Sequence, residues 1–119
     1  PDENRKRIVD EMLDVYISYY KANGLSLDHE AEPYHWGRYP IHLALFYGYE
    51  DAAFKLAKNG SNVFGGDSYS FNSLAYATVG NCLKFMDYLS DKKGMDVRHK
   101  SAKGEADAFL EAIHFARSR

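Results

Sequence analysis

Residues 39–48 read Y-P-I-H-L-A-L-F-Y-G, and 33 positions later residues 72–81 read N-S-L-A-Y-A-T-V-G-N. Pro40 aligns with Ser73, Ile41 with Leu74, Ala44 with Ala77 and Gly48 with Asn81; further along, Leu56 aligns with Leu89. A single spacing relates all these pairs, so the two stretches are read as successive copies of one unit. Pro40 suits a first helical turn, where its missing N–H has no intrahelical partner to lose. Ile41, Ala44 and Leu45 then share one face of a short helix that Gly48 ends. Asn is the natural substitute for Gly at a left-handed stop. Asn81 therefore predicts the same ending for a helix over 73–79.

Each short helix is followed by a second one. Ala52, Ala53 and Leu56 mark the inner face of the first, which Asn59-Gly60 stops. Leu83, Phe85, Met86 and Leu89 mark the other, before Lys92, Lys93 and Gly94. Between the copies, 61–72 carries the turn residues Gly65, Gly66 and Asp67. Upstream, 4–22 reads as an amphipathic helix with Ile8, Met12, Val15, Tyr16 and Tyr19 at spacings of three and four, a face expected to pack on the next element. Asn23-Gly24 closes it. Residues 25–39, with Pro33 and Gly37, read as a long loop or hairpin. Downstream, Phe109, Ala112, Ile113 and Ala116 start a third copy that arrives two residues late, with an insertion near 92–94.

The segment Y-P-I-H-L-A at 39–44 resembles the ankyrin signature T-P-L-H-x-A, whose period is about 33 residues. Gly48, Leu56 and Gly60 stand at the family's two glycines and its leucine. The copies N-S-L-A-Y-A and D-A-F-L-E-A, at 72–77 and 107–112, are more degenerate. The resemblance implies an all-α solenoid of stacked antiparallel helix pairs joined by hairpin loops. Its units would be a partial repeat or N-terminal cap with a long loop over 1–36, repeats at 37–69 and 70–104, and an incomplete repeat at 105–119. It also implies that His42 hydrogen-bonds within and between loops, a role Ala75 and Leu110 cannot take, and that Gly48 and Gly60 are structural.

Bulk properties narrow the function. A formal net charge of −2 and a pI near 6.2 leave no basic face for nucleic acid. Apolar runs fall far short of the ~20 residues that span a bilayer. No secretory signal pattern is visible. The single Cys82 suits a reducing compartment, so a cytoplasmic location is expected, or a host cytoplasm for a secreted effector. The chain starts at Pro1 and ends in an unfinished repeat, which predicts an excerpt of a longer protein. That end would expose Phe109, Ile113 and Phe115 and allow self-association.

Candidate chemistry is sparse. His29 and Glu30 lie near His35, yet no second ligand cluster accompanies them, so no metal is expected. Cys82 opens a helix, unlike a partly exposed nucleophile. Gly65-Gly66-Asp67 lacks the Lys of a phosphate loop. Neither a cofactor nor a catalytic residue is predicted. Aromatic residues are abundant, with 10 Tyr and 7 Phe. Ankyrin proteins bind through hairpin tips and the exposed side of the inner helices. The resemblance therefore puts Trp36, Arg38, Phe46, Tyr47, Tyr69 and Phe71 on a protein-binding stripe, with Leu43, Tyr76 and Val79 exposed beside it. Trp, Tyr and Arg dominate interface energies. The expected function is a protein–protein interaction module; the alternative is a regulatory or substrate-recruiting segment of a multidomain enzyme, such as a bacterial effector.

Overall fold

The computed structural model describes residues 2–28, 37–68 and 71–91. Among them the structure is all-helical: α1 (Glu3–Ala22), α2 (Pro40–Phe46), α3 (Glu50–Lys58), α4 (Ser73–Val79) and α5 (Leu83–Asp91), with no strand. The third copy expected from Phe109 onward lies outside the described residues, as does 29–36.

Local chemistry accounts for the helix ends. Asp2 caps α1 by accepting from the Arg5 N–H at 2.8 Å. Pro40 stands in the first turn of α2, and the Asn72 side chain caps α4 by accepting from the Ala75 N–H at 3.2 Å. The C-terminal ends of α2 and α4 are built alike. Gly48 (φ 81°) and Asn81 (φ 58°) both turn left-handed. After them Tyr49 N–H reaches Ala44 O and Cys82 N–H reaches Ala77 O, each at 2.8 Å. These bonds occupy carbonyls that the helix itself leaves open.

The helices form two rows. α2 packs on α4 in one row, α1, α3 and α5 follow one another in the second, and α2·α3 and α4·α5 contacts join the rows. Ile41, Leu45, Leu56, Phe85 and Leu89 are buried between them. Full burial of such a side chain contributes roughly 1.5–3 kcal/mol. Phe54 sits 4.9 Å from Phe85 and 5.3 Å from Tyr88, centroid to centroid, knitting α3 to α5.

Of the face that α1 was expected to bury, only Tyr16 packs on the core. Leu13, Tyr16, Ile17 and Tyr20 join the core, whereas Ile8, Met12, Val15 and Tyr19 remain 48–71% exposed. The apolar arc of α1 is wider than one helix can cover, and α3 takes the side that carries Leu13, Ile17 and Tyr20, with polar contacts at its edge. Lys55 Nζ of α3 donates to Asp14 at 2.8 Å and also to Asp10, while Lys21 Nζ donates to Asn59 Oδ1 at 2.8 Å.

Candidate protein-binding face

α2 reads P-I-H-L-A-L-F and α4 reads S-L-A-Y-A-T-V, with no Asp, Glu, Lys or Arg in either. The outer row carries the charge: α1, α3 and α5 all mix acids and bases. A cleft of about 470 Å³ near the start of α1 illustrates this, since Lys6, Arg7 and Lys84 face Glu3, Asp10, Glu50 and Asp51 there. Opposite signs compensate one another in that cleft. The α2–α4 layer is different: neither helix has a charged residue of its own.

His42 organises the start of that layer. Its ring is fully buried and lies between Tyr39 and Tyr76, with centroids 5.1 and 4.9 Å away and planes 10° and 19° from parallel. Nδ1 accepts from the Tyr39 N–H at 3.0 Å, and Nε2 lies 3.1 Å from Gly65 O. A ring that accepts at Nδ1 and faces a carbonyl at Nε2 must carry its one proton on Nε2, so His42 is neutral. Burial, above all, holds its pKa below the ordinary value, although the Gly65 carbonyl and Asp67 pull the other way.

Tyr76 is where sequence and structure part. It was expected to face outward, as was Val79, yet both are buried. The Tyr76 hydroxyl donates to Asp67 Oδ2 and accepts from Arg38 Nε at 3.2 Å. Burial and the adjacent Asp67 carboxylate push its pKa well up. Asp67 Oδ1 also accepts from the Phe71 N–H at 3.0 Å, and Asp67 N–H donates to Phe71 O at 3.1 Å. The hydroxyl thus has its partners inside, and stacking on His42 stabilises the ring there. Val79 packs instead with Ala75, Phe46 and Phe71.

Of the residues expected to bind a partner, Tyr47 is exposed at 55%, and its ring meets Phe46 edge-on at 4.9 Å. Phe46, Phe71 and Arg38 are half-buried. The Arg38 guanidinium lies over the rings of Phe46 and Tyr76, 5.2 and 5.7 Å from their centroids. Trp36 and Tyr69 lie outside the described residues. Gly48 and Gly60 have positive φ, 81° and 110°. Asp67 is the residue sequence reasoning missed, since it reads there only as a turn former. No family model, curated protein or solved structure matches this chain. Among the described residues, no three His, Cys, Asp or Glu side chains gather as metal ligands, and no helix is long and apolar enough to cross a membrane.

Proposed function

We propose that the chain is a divergent ankyrin-type repeat module that binds a protein partner through the α2–α4 layer. The repeat reading is supported by α2 and α4, seven residues each, and by α3 and α5, nine residues each, with Ser73 placed 33 residues after Pro40 and Leu83 placed 33 after Glu50. It is supported too by the doubly bonded His42 of Y-P-I-H-L-A. The binding reading rests on one observation: the two helices that have no charged residue of their own are the ones beside which the exposed Tyr47 and the half-buried Phe46 and Arg38 come together. Aromatic and Arg side chains around an uncharged centre, with charge kept elsewhere, is the composition of a protein interface core.

The experiment compares capture from cell extract by the unmodified chain, by Tyr47→Asp and by Lys58→Asp, an exposed change on α3. Loss of the same partner with Tyr47→Asp alone, at an unchanged melting temperature, is the expected result. Equal retention by both variants puts the contact elsewhere and overturns the reading.

A further inference from the structure

Asn-Gly pairs close two of the helices: Asn23-Gly24 ends α1 and Asn59-Gly60 ends α3. This dipeptide is open to cyclisation on itself, because glycine has no Cβ to keep its backbone nitrogen away from the preceding side chain. In that reaction the Gly nitrogen gives its proton to solvent and bonds to the Asn Cγ. The Cγ–Nδ2 bond breaks, ammonia leaves and a five-membered succinimide remains. Water then opens either ring C–N bond, giving an aspartate or an isoaspartate. The net change is amide plus water to carboxylate plus ammonium, with no oxidant or cofactor.

The two pairs share a resting geometry and differ in restraint. Asn23 has ψ 8° and Asn59 has ψ 13°. A ψ near zero eclipses the Gly nitrogen with the Asn backbone nitrogen and turns it away from Cβ, so either ring closes only after the helix end opens. Each Gly N–H also donates to a helix carbonyl, Gly24 to Lys21 O and Gly60 to Ala57 O, both at 3.2 Å. Asn59 is half-buried and held at both atoms of its amide: Nδ2 donates to Lys55 O and Oδ1 accepts from Lys21 Nζ, each at 2.8 Å. Just beyond it Ser61 is buried, and the Asn62 N–H donates to Asp28 Oδ2 at 2.7 Å. Asn23 is exposed, and among the described residues only its Nδ2 is engaged, donating to Tyr19 O at 2.8 Å. Leu25 beyond it is 48% exposed, and the chain is not buried again until Leu27. Among the described helices α1 touches α3 alone, whereas α3 touches α1, α2 and α5. A helix end with fewer tertiary contacts opens more often.

We propose that Asn23 is a site of spontaneous deamidation, that the fold protects its counterpart Asn59, and that the carboxylate formed at position 23 loosens the end of α1. The new charge stands among the last carbonyls of a helix, at the negative end of its dipole. Tyr19 O also loses the donor that Nδ2 supplied. At position 59 the same charge would face Lys21 Nζ, so the two positions differ in consequence as well as in rate. The site is separate from the α2–α4 layer and stands or falls independently of the partner proposed there.

The test ages the whole chain, folded, at mildly alkaline pH well below its melting temperature, and follows both positions by mass spectrometry of its peptides. Position 23 should convert at least roughly fivefold faster than position 59, the factor that one further hydrogen bond to break supplies. In urea the two should convert at similar rates, since glycine follows both. A ratio in the folded chain no larger than the ratio in urea overturns the protection. An Asn23 that stays intact in the folded chain, over many times the period the unfolded chain needs, overturns the site itself. Asn23→Asp stands in for the product: amide exchange in the last turn of α1 should speed several-fold, and Asn59→Asp should change the end of α3 less. Exchange in α1 that is indifferent to Asn23→Asp overturns the loosening.

Discussion

Gly80 lies against the backbone of Leu45 so closely that a Cβ at position 80 would stand 1.7 Å from the Leu45 carbonyl oxygen. This close approach joins α2 to the end of α4, and it explains a glycine that its own backbone does not require. At φ −82° Gly80 is in the ordinary right-handed region, where alanine fits and helix propensity favours it. Propensity and packing therefore predict opposite signs for Gly80→Ala. Backbone cannot swing aside as a side-chain end can, so packing wins. The variant is expected to lose about 2–3 kcal/mol, the scale of overpacking a core. Urea unfolding checks it, and a variant as stable as the parent would refute the close approach.

His42 gives a pH dependence whose sign is fixed by its environment. Its folded pKa lies below 6.5, chiefly through burial. Below pH 6.5 the unfolded chain thus binds a proton that the folded chain refuses, and stability falls as pH falls from there toward the folded value. Above 6.5 the group contributes no slope. The limit is about 1.4 kcal/mol per pH unit. Protonation at Nδ1 would also turn a donor against the Tyr39 N–H, opposing the bond that starts α2. Imidazole nitrogen shifts followed by NMR should keep His42 in its Nε2–H form as the pH is lowered through 6.5. A His42 that titrates near 6.5 in the folded chain would contradict this.

Lys55 holds α1 by its bonds to Asp10 and Asp14, and those bonds raise its pKa. Both carboxylates are more than half exposed, so salt screens the clamp and its worth is about 1 kcal/mol or less. α1 contacts no described helix except α3. Lys55→Met should therefore speed amide exchange in α1 and leave α2 and α4 unchanged, and added salt should do the same to the parent. Uniform acceleration across all five helices would show that α1 does not open by itself.

The helix boundaries were legible in the sequence because each one is written locally. Asn23-Gly24, Gly48, Asn59-Gly60 and Asn81 punctuate the chain within a turn of the helix ends they close. What points inward was less legible. Nothing near Tyr76 in the chain shows that its hydroxyl has a partner nine residues earlier, at Asp67, or that His42 offers a stacking surface 34 residues away. Likewise Ile8, Met12, Val15 and Tyr19 formed the more regular stripe on α1, yet the helix packs on the neighbouring side that carries Leu13, Ile17 and Tyr20. Periodicity finds apolar faces; it does not choose among two on one helix.

Glu50 opens α3, yet its carboxylate serves α5: Oε2 accepts from the Phe85 N–H at 2.8 Å. The residue before α5 cannot do this, because Cys82 has a weakly accepting sulfur that points toward Leu45 O, 3.6 Å away. A nine-residue helix is marginal by itself, so one satisfied amide in its first turn matters. Glu50→Ala should cost about 1–2 kcal/mol, the range of a lost N-terminal cap. Glu50→Gln keeps an accepting oxygen in place and should cost less than half as much. The amide of Phe85 reports directly, exchanging faster in Glu50→Ala than in Glu50→Gln. If the two variants prove equally destabilised, charge near the helix start, rather than the bond to Phe85, is what Glu50 provides, and the joint between α3 and α5 rests on apolar packing such as that of Phe54 on Phe85 and Tyr88.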